Sequence, residues 1–239
     1  MTTSIDATAL AASLRRLEKQ QANTVLEESL QRVVDACAQM FDISGSGLML
    51  ADEHSELRYA VFTDPTSRLL ENAQLETGEG PCVDTFVHDA VTATTDVQND
   101  ERWTQLAGVL DGSGIRAVLG VPVHLSGIPV ASLDIYLDRE HRWEAAEQHA
   151  LSRFGDVAEA MLATAVSAEQ AGVLAAQLNY ALDYRVPIER GVGFLMSREN
   201  LDHVAAFHRL RTAARSTRRK IGDVAQTLLD TGRLPGEEP

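Results

Sequence analysis

The sequence predicts an α+β domain, an antiparallel sheet with flanking helices, followed by a long connecting helix and a small all-α module of three helices. Three observations carry that expectation. Between residues 44 and 137, short runs rich in Val, Ile and Leu alternate with turn residues and helical stretches. From 143 to 185 no proline interrupts the chain. Beyond Pro187, three apolar stripes recur at helical spacing, each too short to be stable alone. The expected division is a helical extension over 1–21, the α+β domain over 22–165, the connecting helix over 166–185, the helical module over 186–233 and a disordered tail over 234–239.

Charge is distributed unevenly over these parts. The 239 residues carry 21 Lys and Arg against 35 Asp and Glu, a formal net charge of −14. From Gln177 onward, ten basic residues face eight acidic ones, so the surplus of acid lies wholly upstream. Residues 208–220, HRLRTAARSTRRK, hold six basic side chains and no acidic one. A local basic patch on an acidic chain is the footprint of a polyanion partner confined to one surface. The competing reading is a solvated helix face. Apolar residues at 44% suffice for a core. No apolar run is long enough to span a bilayer and no secretory leader is visible, so no membrane partner is expected and the cytoplasm is the default location. Cys37 and Cys82 are far apart in sequence and form neither a disulfide framework nor a metal-ligand pair.

In chain order, Leu10, Leu14 and Leu17, then Leu26, Leu30, Val33, Val34 and Cys37, predict a helix from about residue 8 to 40, broken near Ala22 and Asn23. Its first half has no evident local partner, which suggests another helix or subunit. SGSGLMLAD and LRYAVFTD read as strands joined by DEHSE. A helix over Thr66 to Glu76, the loop GEGPC at 78–82, a short helix DTFVHDA, a strand AVTATTD and a helix near Trp103 to Leu110 follow. RAVLGVPVHL and PVASLDIYL form a hairpin in which Gly127 supplies the turn. This order describes an antiparallel sheet with its helices to one side. In the connecting helix, Leu151, Phe154, Ala158, Met161, Ala165, Ala168, Gly172 and Ala175 follow a 3–4 spacing, suited either to a parallel dimer coil or to packing on the chain's own sheet. Gly155 and Gly172 are candidate bending points. Val186-Pro187 predicts a turn. Ile188, Gly191, Val192, Leu195 and Met196 form one stripe, and Val204, Phe207, Leu210 and Ala214 a second. Ile221, Val224, Ala225, Leu228 and Leu229 form a third, behind Ser216 or Thr217 as a cap.

GEGPC at 78–82, Asp96 with ERW at 101–103, GIRAVLGVPV at 114–123 and ASLDIYL at 131–137 resemble a GAF domain, of the actinobacterial type that precedes an RNA-binding module. The resemblance covers roughly residues 22–165 and implies a sensory domain that binds a small ligand or none and often mediates dimers. From about Leu178 to Leu229 the chain resembles an ANTAR domain, the RNA-binding module of bacterial transcription antiterminators. The matching residues are Arg185, Ile188-Glu189, Gly193, Leu195-Met196, Ala206-Phe207, Leu210-Arg211, Ala213 and Asp223-Val224-Ala225. Where members typically carry Ala-Lys-Gly, this chain has Gly191-Val192-Gly193, so one expected lysine contact is missing.

What this second resemblance implies is binding of paired RNA stem-loops with hexanucleotide loops, by a homodimer that holds two loops at once, and not binding of DNA. Arg suits structured RNA because its planar fork meets phosphates and its face stacks on bases. The residues assigned to RNA are Arg185, Arg211, Arg215, Arg218, Arg219 and Lys220. If the second helix reaches Arg218, then Arg211, Arg215 and Arg218 share one ridge. In the GAF domain the loop Gly78, Glu79, Gly80, Pro81 and Cys82 is the candidate sensor element, with an unidentified small molecule in the GAF pocket as its ligand. Cys82 stands at a helix N-terminus that could favour its thiolate, although a packed structural thiol is the preferred reading. His124 on its strand reads as a core or surface residue rather than a haem ligand. His88, His141 and His149 stand at no metal-ligand spacing, so no metal and no cofactor are expected. No nucleophile, base and orienting group appear together, so no enzyme is expected. The alternative to an RNA-binding regulator is a ligand-sensing or protein-interaction regulator whose ANTAR surface has drifted away from RNA.

Overall fold

A computed structural model describes residues 6–19, 26–51, 57–167 and 173–237. Helices α1 (Ala7–Lys19) and α2 (Leu26–Phe41) lead into strand β1 (Gly45–Ala51), then β2 (Leu57–Phe62), α3 (Pro65–Thr77), α4 (Pro81–His88) and β3 (Thr92–Thr94). Two short 3-10 turns precede α5 (Thr104–Val109), and the strands β4 (Ala117–Leu125) and β5 (Ile128–Leu137) follow. The C-terminal half is helical: α6 (Ala145–Ser167), α7 (Val173–Glu199), α8 (His203–Thr217) and α9 (Ile221–Thr231). The five strands form one sheet in the order β2-β1-β5-β4-β3, antiparallel at every pairing. The β4–β5 hairpin turns through Ser126 and Gly127, both at positive φ (54° and 76°), the backbone that a two-residue hairpin loop demands.

Both faces of the sheet are covered, which corrects the expectation of helices on one side. β1 is buried along its whole length. Leu48 and Leu50 join α2 and α6 in one core, while Met49 and Ala51 face a second core on the opposite side. Leu14 and Leu17 of α1 lie in the first core, so the partner that the sequence left open is the chain's own α2 and α6. The α6 seam is used in the same way. Leu151, Phe154, Ala158, Met161 and Ala165 are all buried in that core. Gly155 lies within the continuous helix α6. It sits over β4, where an added Cβ would lie 3.5 Å from the Pro122 carbonyl. Gly172, Ala168 and the predicted break at Ala22 lie outside the described residues.

The helical module departs from expectation at its start. Pro187 is inside α7, which runs on as a helix to Glu199 rather than turning. The loss of one backbone bond at a proline is offset by the anchors that follow it, since Ile188, Val192 and Leu195 are buried against α8 and α9. Gly191 lets α9 approach, with an added Cβ only 3.2 Å from the Ala225 Cβ. Asn200 at φ 53° ends α7, and Asp202 caps α8 by accepting from the Ala205 N–H at 2.8 Å. Ser216 and Thr217 cap nothing. Their hydroxyls donate back to the Ala213 carbonyl (3.1 and 2.6 Å), inside α8, and Lys220 holds the cap position of α9. Nor does the segment after 233 run free as far as it is described. Leu234 is buried, and Glu237 pairs with Arg198 and Arg209, both at 2.9 Å. No helix among the described residues is long and apolar enough to cross a membrane.

Candidate nucleic-acid interface and buried sensor cluster

The basic stretch begins as α8 and ends in the α8–α9 corner. α8 stops at Thr217, and Arg218 adopts the left-handed conformation (φ 53°), so the ridge expected from Arg211 to Arg218 is interrupted. Arg215, Arg218 and Arg219 are exposed and Lys220 is half-buried. Arg219 donates to the Thr227 hydroxyl at 2.9 Å, which holds it beside the first turns of α9. Arg209, from the same stretch, is engaged by Glu199 (3.3 Å) and Glu237 (2.9 Å). The side chain of Arg185 lies outside the described residues. Val192, at the position of the missing lysine, is fully buried in the module core.

Arg211 is the clear departure. It is only 9% exposed, because α8 lies against the α+β domain rather than in solvent. Phe207 and Arg211 line a seam with Leu75, Val83, Phe86 and Val87. Arg211 is within 2.9 Å of His208 Nδ1. An added Cβ on Gly78 would lie 2.6 Å from Arg211 and 2.8 Å from His208. Burial, with the Arg211 charge adding to it, holds the His208 pKa below its ordinary value. The assigned RNA face is thus split. One part points outward, and Arg211 is closed beneath the 78–82 loop.

That loop is rigidly built. Asp64 caps α3 through the N–H groups of Thr66 and Ser67, and Gly78 (φ 70°) ends the helix in the left-handed region. Gly80 (φ 134°) precedes Pro81, the first residue of α4, so Pro81 and Cys82 belong to that helix and not to the loop. Glu79 accepts from the Gln105 backbone (2.9 Å) and side-chain amide (2.7 Å), tying the loop to α5. Cys82 points into the domain and is fully buried. Its Sγ donates to Glu71 Oε2 at 2.9 Å and accepts from Gln74 Nε2 at 2.8 Å. Burial raises its pKa well above the ordinary thiol value, with Asp134 and Glu71 adding to the rise, so the helix N-terminus does not make a ready thiolate.

Asp134, on the central strand β5, shares this interior. Burial pushes its pKa up to about 7, and it accepts twice from the Ser132 hydroxyl (3.1 and 3.0 Å). Glu71 is raised as well, by burial and by Asp134. Glu71, Cys82 and Asp134 bring their acidic atoms within 4.8 Å of one another. The sequence spacing gave no hint of this set, because its members come from α3, α4 and β5. A signal was available in the strand-interior glycines Gly47 and Gly120, which mark close approach of other groups. His124 pairs with Asp89 at 2.6 Å at the surface.

Residues 25–162, more than half of the chain, match the GAF domain, and residues 176–229 match the ANTAR domain. The chain is similar in structure to the GAF domain of a phosphoenolpyruvate-protein phosphotransferase from Coxiella burnetii. The TM-score is 0.54 at 17% identity, over 69% of this chain and 99% of that one. For the GAF domain of the Acinetobacter phosphoenolpyruvate-protein phosphotransferase the TM-score is 0.52 at 17% identity, over 67% and 97%. The free methionine-R-sulfoxide reductase of Neisseria meningitidis, solved with its substrate, gives a TM-score of 0.53 at 15% identity, over 69% and 96%. At these identities the likeness is one of fold. No curated protein matches the chain.

Proposed function

The chain belongs to the GAF domain family and carries an ANTAR domain behind it, and from that premise we propose that it is an RNA-binding regulator of transcription antitermination, without catalytic activity. In this reading the ANTAR helices bind paired hexaloop stem-loops, and the GAF domain controls when they do so. The observation that carries it is the position of the basic side chains. Arg215, Arg218 and Arg219 are exposed at the α8–α9 corner, within the ANTAR match. Arg219 stands beside the start of α9, where the helix dipole favours a phosphate. Arg211, on α8 one turn before Arg215, is shut against the GAF loop. The arrangement is that of a docked form that holds back part of the RNA face, and a dimer with both modules released gains by effective concentration on two loops.

The test is binding of the full chain to a tandem hexaloop RNA across a salt series, with its oligomeric mass measured in parallel. Affinity should fall steeply with salt, as counterion release requires. The triple change Arg215→Glu, Arg218→Glu and Arg219→Glu should abolish it. Stem-loop affinity that survives the triple change, or that does not vary with salt, rejects the assigned face.

A further inference from the structure

We propose that Glu71, Cys82 and Asp134 form a binding site for a divalent transition-metal ion of zinc-like chemistry inside the GAF domain. The geometry around Asp134 is the first reason. In the sheet register Asp134 lies directly opposite Gly47 of β1 on one side and Gly120 of β4 on the other. Neither glycine has a positive φ, so neither is required by its backbone conformation. What they provide is room. A Cβ at Gly47 would come within 2.7 Å of Glu71 Oε1, and one at Gly120 within 2.4 Å of Asp134 Oδ1. Two strands therefore give up their side chains to make a cradle around one carboxylate, and a second carboxylate and a thiol reach into it from α3 and α4.

The second reason is an orphan. The Thr85 hydroxyl is fully buried and has no hydrogen-bond partner among the described residues. It lies over the same glycine as Asp134, 2.7 Å from the place a Gly120 Cβ would take. A buried hydroxyl left unpaired is costly, and this one shares with the Asp134 carboxylate the space that Gly120 leaves open. A water completing the metal's coordination would find its hydrogen-bond partner there.

The donor set fixes the kind of ion. One thiolate with two carboxylates suits zinc or a neighbouring first-row ion, whereas magnesium and calcium take oxygen alone. Bond lengths of about 2.3 Å to sulfur and 2.0–2.2 Å to oxygen place tetrahedral ligands roughly 3.3–3.8 Å apart. Here the three acidic atoms lie within 4.8 Å of one another, and the Cys82–Glu71 contact is 2.9 Å, held by the thiol proton. Binding replaces that proton with the ion and releases it to solvent. The outer groups are already in place. Gln74 is fixed by accepting from the Cys82 N–H at 2.8 Å, and its amide donates to Cys82 Sγ and, at 3.2 Å, to Glu71 Oε2. Ser132 orients Asp134. Such second-sphere bonds set the direction of a ligand's lone pairs.

The test is a cobalt titration of the chelator-treated full chain. One equivalent should bind and produce a near-ultraviolet sulfur-to-cobalt charge-transfer band, which zinc then removes. Cys82→Ser should lose the band and Cys37→Ser should keep it. Asp134→Asn and Glu71→Gln should each weaken zinc at least about tenfold, and Gln74→Ala about 10- to 100-fold. Absence of the band in the unaltered chain overturns the proposal, and that measurement stands even if a variant fails to fold. So does a band retained by Cys82→Ser, or zinc affinity within twofold of the parent in both carboxylate variants. None of these readings involves RNA, so they are decided apart from the antitermination assignment.

Discussion

Gly78→Ala separates the docking of the ANTAR helices from the stability of the GAF domain. Gly78 has φ 70° at the end of α3, a conformation that costs an L-residue about 1–2 kcal/mol. That penalty is the same whether α8 is docked or released, so it lowers the unfolding midpoint without changing the docking equilibrium. The second effect belongs to the docked form alone. The new methyl carbon would lie 2.6 Å from Arg211 and 2.8 Å from His208. Both are ends of side chains and can move, at the expense of their mutual 2.9 Å contact and of the fit of Arg211 beneath the loop. A charged hydrogen bond is worth about 1.5–3 kcal/mol. With partial relaxation, docking should weaken by about 1–2 kcal/mol, roughly a 5- to 30-fold shift toward the released form. If the docked form dominates, apparent RNA affinity rises by the same factor, because only the released fraction offers Arg211. Amide exchange along α8 and binding of a tandem hexaloop RNA read the two consequences. A lowered midpoint with unchanged α8 exchange and unchanged RNA affinity refutes the reasoning, since the strain would be felt and the docking would not.

Three further outcomes are expected. Arg218→Glu with Arg219→Glu should reduce the slope of log affinity against log salt by about 0.7–0.9 for each phosphate that is no longer neutralised, measured by RNA titration at several salt concentrations. Val192→Lys, which restores the residue usual in the family, should destabilise the chain by several kcal/mol in urea unfolding, because position 192 is fully buried and has no place for an ammonium group. His208 is held below its ordinary pKa by burial and by Arg211, with Arg215 adding and with the Gly78 backbone and Glu79 opposing. The docked form therefore binds fewer protons than the released one, so the contribution of neutral His208 to docking is fully present above about pH 6.5 and is lost as pH falls through the lowered value. His208→Gln should flatten that dependence in urea midpoints taken from about pH 5 to 8.

The order of elements was legible because periodicity reports burial. Leu48 and Met49 alternate between two cores, and Ile221, Val224, Ala225 and Leu228 fall on one helical face. What periodicity does not report is the partner. The 3–4 spacing from Leu151 onward suits a dimer coil as well as a sheet-packing face; the first half is expected on the chain's own sheet, and Leu151 to Ala165 are buried there. Pro187 misleads for a similar reason. Its local preference for ending a helix is real, and the burial of Ile188, Val192 and Leu195 overrides it. Charge was legible as composition but not as exposure. Arg211 and Arg215 are one turn apart on α8, and packing against the GAF domain buries one and leaves the other exposed. The Glu71, Cys82 and Asp134 cluster was illegible because its members are distant in sequence. Gly47 and Gly120 could have indicated it, had strand glycines at positions without turn geometry been read as space reserved for something else.

The 78–82 segment has two faces, and this gives the GAF domain a physical route to the proposed RNA surface. Gly78 touches Arg211 and His208 on α8, while four residues later Cys82 reaches Glu71 and Gln74 in the interior. Pro81 at the first turn of α4 and the Glu79 bonds to Gln105 stiffen the stretch between them, so a displacement at Cys82 is not absorbed locally. The Cys82–Glu71 contact of 2.9 Å is shorter than the roughly 3.3–3.8 Å that two ligands of one tetrahedral ion require. An ion that drew these ligands to tetrahedral spacing would lengthen this contact, beneath a seam that has α8 as its other wall. By linkage, whatever factor such an ion applies to RNA affinity, RNA must apply to the ion's affinity. Zinc affinity measured with and without hexaloop RNA therefore tests the route: equal values would mean that the interior cluster and the docked helix share a loop but no free energy.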